Sequence, residues 1–252
     1  MTAAVYPTVR AILPAPMRLD LGCGRQKRPG FVGLDRFALP GVDVVADLDL
    51  PTLPFRDNSF DVIYAFHSLE HVKDLQATMK EVWRVGKPGA QVCIGAPYWA
   101  QGLNLANPYH KQVFNEHTPR FWTSAPTSPI DPAEYARPPQ GAMWGLAQSD
   151  NSDPGFDLRC LRMEFFYFQE YWALPPGERR ERRRKGFDVC EHILYHLAVF
   201  KPPMTEADLA SLQMDFVQPW VLEERRKMAA AVRPAAFSLR SLLRRVVAAG
   251  RT

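Results

Sequence analysis

The sequence predicts an α/β protein built on an open, mostly parallel sheet of seven strands. Three observations carry that expectation. Residues 17–97 alternate short apolar runs with turns and one helix-spaced stretch. The first apolar run ends in Gly22-Cys23-Gly24. Two aromatic and β-branched runs follow later, at 158–168 and 190–200. Short apolar strands joined by crossovers imply a sheet covered on both faces.

Taken in order, Met17–Leu21 (MRLDL), Phe31–Leu34 and Val42–Ala46 (VDVVA) read as the first three strands, and Phe60–Phe66 (FDVIYAF) as the fourth. Between that strand and Gln91–Ala96, Leu75, Met79, Val82 and Val85 recur at helical spacing, which predicts a helix over 74–85. Lys87-Pro88-Gly89 then stops it and turns into the fifth strand. Leu158–Phe168 and Cys190–Phe200 read as strands that extend the sheet. The stretch 205–227 reads as one or two helices, opened by a Thr205/Asp208 capping box, and 238–249 as a short basic amphipathic helix.

Of the 252 residues, 46% are hydrophobic and 23% charged, enough for a buried core and incompatible with global disorder. No apolar run approaches the ~20 residues a membrane-spanning helix needs, and the first residues do not read as a secretion signal. Cys23, Cys93, Cys160 and Cys190 are scattered, without the spacing of a disulfide framework or a cysteine zinc site, so the expected compartment is a reducing cytoplasm. The net charge of +4 does not itself mark a nucleic-acid binder. Its basic residues concentrate in the run 179–185 and in the tail after Ala229. The run reads as a solvated turn, with an anionic acceptor or RNA as the functional alternative. The tail, over 236–252, offers a peripheral membrane contact or a packing helix.

The chemistry lies at the strand ends. Gly22 and Gly24 let the chain turn sharply and let a ligand approach the main chain. Ligands of open α/β sheets bind at the carboxyl ends of strands, near the switch in strand order. Asp35 ends the second strand, where a carboxylate can accept two hydrogen bonds from a ribose diol. Asp47 and Leu48 follow the third, placed for an adenine amino group and its ring. The fourth strand ends at Phe66-His67, and Leu69-Glu70-His71-Val72 begins the next helix.

The segments LDLGCG, FVGLD, ADLDLPTLPFRDNSFDVIYAFHSLEHV and EVWRVGKPGAQVCIGAPY resemble the class I S-adenosylmethionine-dependent methyltransferases, most closely the type 11 group. The resemblance is dense over about 17–98. A looser match, Asn107-Pro108-Tyr109-His110 followed by Phe114, resembles the family's segment after the fifth strand, with Asn107 in place of an acid. It implies a Rossmann-like, doubly wound fold over 1–203, with 99–156 facing the substrate and a helical basic extension over 204–252. It implies S-adenosylmethionine as cofactor, bound by Asp20, Gly22, Cys23, Gly24, Asp35, Asp47, Leu48, Phe66 and His67.

One departure has a structural consequence. Residues 25–30 (RQKRPG) are too few for a crossover helix, so the first crossover is expected to be a loop. S-adenosylmethionine has no pyrophosphate and does not need that helix N-terminus. Main-chain amides at Cys23–Arg25, helped by Arg25 or Lys27, are expected to hold its carboxylate, and Cys23 to be a small spacer.

His110 and His117 follow the fifth strand and are the candidate catalytic residues, since a neutral imidazole can take the proton of a hydroxyl acceptor. Tyr98, Trp99, Tyr109 and Trp122 are candidates for the acceptor wall, and His71 reads as a core histidine. The fourth strand lacks an Asn/Asp-Pro-Pro-Tyr turn for amino-methylation, and no cysteine suits cytosine C5 chemistry. No carboxylate cluster for a metal can be assembled, so none is expected. These readings leave methylation of a hydroxyl, ahead of an amine, on a small molecule, sugar, glycolipid or natural product. An RNA methyltransferase using the basic segments and a non-catalytic binding module are the alternatives.

Overall fold

A computed structural model describes residues 16–123, 125, 129–131, 134, 154–212, 219 and 221–232. The expected helix over 238–249 and the membrane-contact segment 236–252 lie outside them. The strands are β1 (Arg18–Leu21), β2 (Val32–Asp35), β3 (Val44–Val45), β4 (Phe60–Phe66), β5 (Gly86–Pro97), β6 (Leu158–Tyr167) and β7 (Cys190–Val199). They form a seven-stranded sheet of order β3-β2-β1-β4-β5-β7-β6. The first five pair in parallel. β7 runs antiparallel between β5 and β6. The strand order reverses between β1 and β4, and both end at the same edge of the sheet.

Helix α1 (Leu75–Val85) begins where Asp74 accepts a hydrogen bond from Ala77 N, which satisfies one of the helix's unpaired amides. It buries Met79, Val82 and Val85 against the sheet. At its far end Lys201 Nζ donates to Arg84 O at 2.9 Å and to Gly86 O at 2.7 Å, a cation placed on the carbonyl end of the helix dipole. Strand β5 follows with no intervening loop, starting five residues before the predicted Gln91. The first crossover is a loop, as the spacing of Gly22 and Asp35 requires.

Three further helices are α2 (Gly102–Ala106), α3 (Pro176–Lys185) and α4 (Glu206–Ser211). The last carries the Thr205/Asp208 capping box read from the sequence. A fifth, α5, spans 221–232. It docks on the sheet: Leu222 is fully buried, and Arg226 reaches Glu164 at 2.6 Å. Among the described residues, no helix is long and apolar enough to cross a membrane.

The arginine run is a correction. It is helix α3, and Arg183 is 1% exposed. Its guanidinium lies 3.4 Å from the Phe165 ring centre, donates to Tyr167 Oη at 3.0 Å and pairs with Glu134 at 2.5 Å. Arg179 is buried beside Tyr167. Two cations of the run are therefore spent inside the fold. Tyr98 and Trp122, candidates for an acceptor wall, are also core: Tyr98 donates to Glu116 at 2.9 Å, and Trp122 packs edge-on against Tyr195.

Candidate active site

Two regions meet at the carboxyl edge of the parallel strands. The first is the turn after β1. Gly22 and Gly24 have φ of +66° and +53°, a backbone that only glycine adopts freely. A Cβ on Gly22 would lie 2.4 Å from Ser68 Cβ, so the turn packs directly on the segment after β4. A Cβ on Gly24 would meet nothing within 4 Å, so open space lies beside the main chain there.

Acidic groups surround this turn. Asp35, at the end of β2, accepts from Gly24 N at 2.9 Å through one oxygen and from Phe37 N at 2.9 Å through the other. Asp20 is 3% exposed and accepts from Arg28 N at 2.9 Å. Burial pushes its carboxyl up to about 6, against the opposing pull of the Arg28 amide and guanidinium. Burial also pushes the Cys23 thiol up to about 11, with Asp20 and Asp35 adding to the effect. Cys23 is thus a spacer and no nucleophile at neutral pH. The hydroxyl of Ser68, buried beside Gly22, has no hydrogen-bond partner.

The second region follows β4. His67 takes a φ of +54°. Its Nδ1 lies 3.1 Å from Glu70 Oε1, and its ring meets His192 edge-on at 4.8 Å. His192 sits opposite Pro97 in the β5–β7 register, and burial drives its pKa down to about 3, with His67 as the second cause. Phe66 packs against both rings, and position 95 is glycine to leave it room: a Cβ there would lie 2.3 Å from the Phe66 ring.

Glu70 and His71 lie in a single 3-10 turn, Leu69–His71, and not in the helix expected there. Glu70 is 1% exposed, and its Oε2 is buried without a partner. Its carbonyl accepts from Lys111 N at 2.7 Å and Gln112 N at 3.1 Å, which fastens the loop after β5 over the turn. His110 is thereby placed with its ring 4.8 Å from that of His71. Ligand atoms of Glu70, His71 and His110 all lie within 4.8 Å of one another.

The tautomers follow from the partners. His71 Nδ1 is 3.0 Å from Tyr109 O, which can only accept, so Nδ1 donates and Nε2 keeps its lone pair. Asn104 Nδ2 donates to Tyr98 O at 3.3 Å, which turns Asn104 Oδ1 toward His110 Nδ1 at 2.6 Å. His110 Nε2 is then also an acceptor. Burial holds the His110 pKa below the ordinary histidine value, more strongly than Glu70 raises it.

Residues 28–94 match the family model described as a methyltransferase domain, of type 11. Residues 28–94 thus carry the signature of a methyltransferase domain of the type 11 group. It is 36% identical over 66 residues to a sterol 4-C-methyltransferase of Caenorhabditis elegans, covering 25% of this chain and 20% of that protein. It is 42% identical over 131 residues to a demethylmenaquinone methyltransferase of Corynebacterium efficiens, covering 50% of this chain and 55% of that one. The chain thus spans between a fifth and about half the length of these relatives. The crystal structure of a SAM dependent methyltransferase from Archaeoglobus fulgidus aligns with a TM-score of 0.45 at 17% identity, over 73% of this chain and 86% of that one.

The methyltransferase domain's cofactor is S-adenosylmethionine. The residues at its glycine turn suit that molecule. Gly24 opens onto free space, and Ser68 supplies a buried hydroxyl with an unused hydrogen-bonding capacity. Asp35 keeps unused lone pairs for a diol, and the costly buried charge of Asp20 favours a cationic ligand. One expectation is corrected. The Cys23 amide donates to Leu34 O at 3.1 Å and the Gly24 amide to Asp35, so these two are not free to hold a carboxylate. Lys27 is likewise engaged, with Asp43 at 2.7 Å. Asp47 accepts from Asp49 N at 3.0 Å in a local turn, and Leu48 packs against the core.

Of the two candidate catalytic residues, only His110 joins the cluster with Glu70 and His71. His117 stands at the start of the Thr118–Trp122 turn without capping it through its side chain, its pKa lowered mainly by burial. Glu70 and Asn104 were missed. The Glu70-His71 pair stood in the motif, but nothing in the sequence announced Asn104 as the partner that orients His110.

Proposed function

We propose that this protein transfers the methyl group of S-adenosylmethionine to a hydroxyl, ahead of an amine, of an apolar or amphiphilic acceptor such as a natural product or glycolipid. One observation carries the reading. Ser68 packs on the glycine turn, and Glu70 lies in the same short turn of chain. A donor held at Gly22–Gly24 and Asp35 therefore faces the Glu70–His71–His110 cluster. When bound, the cofactor supplies an electrophilic methyl on sulfonium sulfur.

The chain's own residues provide the rest. Asp35 and Asp47 address the ribose and adenine, Leu48 and Phe66 offer apolar contact, and Asp20 sets a negative field around a cationic ligand. His67, held by Glu70, orients the turn at the end of β4. His110 and His71 present Nε2 lone pairs toward the acceptor, where they favour the oxygen nucleophile that in-line displacement requires. Alignment of that oxygen supplies much of the acceleration.

An open groove bordered by Lys73, Gln76, Gln112 and Phe121 begins two residues from His110 and offers a path for the acceptor. Leu103 and Leu105, exposed on α2, and Tyr109 and Val113, exposed on the loop that carries His110, suit an apolar acceptor. The relatives named for sterols and demethylmenaquinone support an apolar acceptor; the sterol relatives are named for methyl transfer to carbon, so the preference for a hydroxyl rests on the histidine cluster. The burial of Arg179 and Arg183 removes part of the surface on which an RNA reading relied. The free cysteines, all buried, accord with a cytoplasmic setting.

Calorimetry with S-adenosylmethionine and S-adenosylhomocysteine tests the first half, and radiolabelled methyl transfer to fractionated lipid, sugar and nucleic-acid pools tests the second. Binding of both ligands and label in the lipid or sugar pool are expected. No binding at millimolar ligand would leave a non-catalytic module. Label in the nucleic-acid pool would replace the acceptor.

A further inference from the structure

We propose that Glu70, His71 and His110 bind one divalent transition-metal cation, through a carboxylate oxygen and the two Nε2 atoms, with its open positions turned toward the acceptor. The role of the cation rests on the methyltransferase reading above; its binding does not.

Four observations converge. First, three ligands from two distant segments converge, with their ligand atoms within 4.8 Å of one another. Second, both imidazoles are already in the ligating tautomer. Each donates Nδ1–H to an oxygen of the protein, Tyr109 O for His71 and Asn104 Oδ1 for His110, and leaves Nε2 bare. Metal-bound histidines are oriented in this way by their outer partners. Third, Glu70 is buried to 1% exposure, yet Oε2 has no partner while Oε1 faces His67 Nδ1. A buried carboxylate oxygen without a hydrogen bond calls for a compensating charge. Fourth, His71 and His110 are only half-buried, so a cation can enter and can keep water or an acceptor oxygen in its remaining positions.

The donor set selects the ion. Two imidazole nitrogens and one carboxylate suit zinc, manganese, iron or cobalt, whereas calcium and magnesium prefer oxygen alone. Ligand bonds of ~2.1 Å place tetrahedral ligands ~3.4 Å apart, so the side chains would close by roughly 1 Å on binding. Both histidines sit on short turns, where rotamer adjustment suffices.

The cation would take the acceptor's hydroxyl oxygen as a ligand and lower its pKa. The hydroxyl proton leaves to solvent. The oxygen lone pair then forms the new O–CH3 bond as the S–CH3 bond breaks, and that electron pair stays on sulfur as the neutral thioether. In this account His110 acts through the cation and not as a bare base, and the expectation of a metal-free mechanism is replaced.

The test uses tag-free full chain, stripped with chelator and titrated with Co2+, read by its visible d–d bands and by calorimetry. One equivalent should bind with bands of a nitrogen- and oxygen-ligated site. His71→Ala and His110→Ala should each weaken Co2+ at least tenfold while S-adenosylhomocysteine affinity holds. Glu70→Gln should do the same; should it fail to fold, the two histidine variants suffice. No Co2+ binding in a protein that still binds S-adenosylhomocysteine would overturn the site and leave the donor reading intact. Co2+ binding unchanged in both histidine variants would also overturn it. Co2+ bound as described, with no S-adenosylhomocysteine binding, would uphold the site and sink the donor reading instead.

Discussion

At the ends of β1 and β2, the glycine turn is assembled from Asp20 to Asp35, one short stretch of chain. At the ends of β4 and β5, the polar cluster needs Glu70 and His71 from one turn, Asn104 from the short helix α2, His110 from the loop after it, and His192 from an antiparallel strand. The first region is tied by main-chain bonds such as Gly22 N to Leu34 O at 2.8 Å. The second is also fastened by main-chain bonds, from Lys111 N and Gln112 N to Glu70 O, but its polar groups are aimed by side chains whose orientation depends on one another, and it keeps buried groups without partners. The contrast fits two tasks. A constant donor can be gripped by backbone, while an acceptor site is set by replaceable side chains on loops.

If the division holds, variants in the two regions separate cleanly. His110→Ala should have the largest effect, a fall in turnover of roughly a hundredfold or more, the range of lost acid–base or ligand function. Affinity for S-adenosylhomocysteine, measured by calorimetry, should stay within about twofold, the size of a surface change. Equal losses in both would merge the two regions. Asp35→Ala should instead weaken the donor by ~1.5–3 kcal/mol through lost charge-assisted hydrogen bonds. Turnover at saturating donor should change little.

The smallest effect sharpens the donor region and is read from stability alone. The Asp20 carboxyl rises from 3.8 to about 6 on folding, chiefly by burial. The folded chain therefore binds that proton more tightly than the unfolded chain. Its contribution is fully present below pH 3.8 and is lost as pH rises through about 6. Asp20→Asn keeps an oxygen for Arg28 N and removes the charge. Melting curves should show the variant more stable than wild type at pH 8, by on the order of 2 kcal/mol, with the gap closing toward pH 4. A constant gap across that range would show that the buried charge is not its cause.

The donor region was legible because its signals are contiguous. The strand β4 was read at its observed bounds, and β1, β6 and β7 to within a residue at either end. Gly22, Gly24 and Asp35 stand where a glycine turn and a strand-end acid belong. The polar cluster was not legible, because its closure depends on Lys111 and Gln112 amides reaching the Glu70 carbonyl, a tertiary choice with no local pattern. The basic run misled for the same reason. Arg183 reads as a surface charge until Glu134, 49 positions away, is folded beside it. Tyr98 looked like a pocket wall because aromatic residues after a strand serve core and site alike.

The most direct measurement is a crystal of the full chain grown with S-adenosylhomocysteine. The adenosine should lie along the Gly22–Gly24 bend with its ribose hydroxyls on Asp35, and its sulfur should face the His110 side of the cleft. Density for the nucleoside anywhere else, or a ribose that leaves Asp35 untouched, would contradict the account.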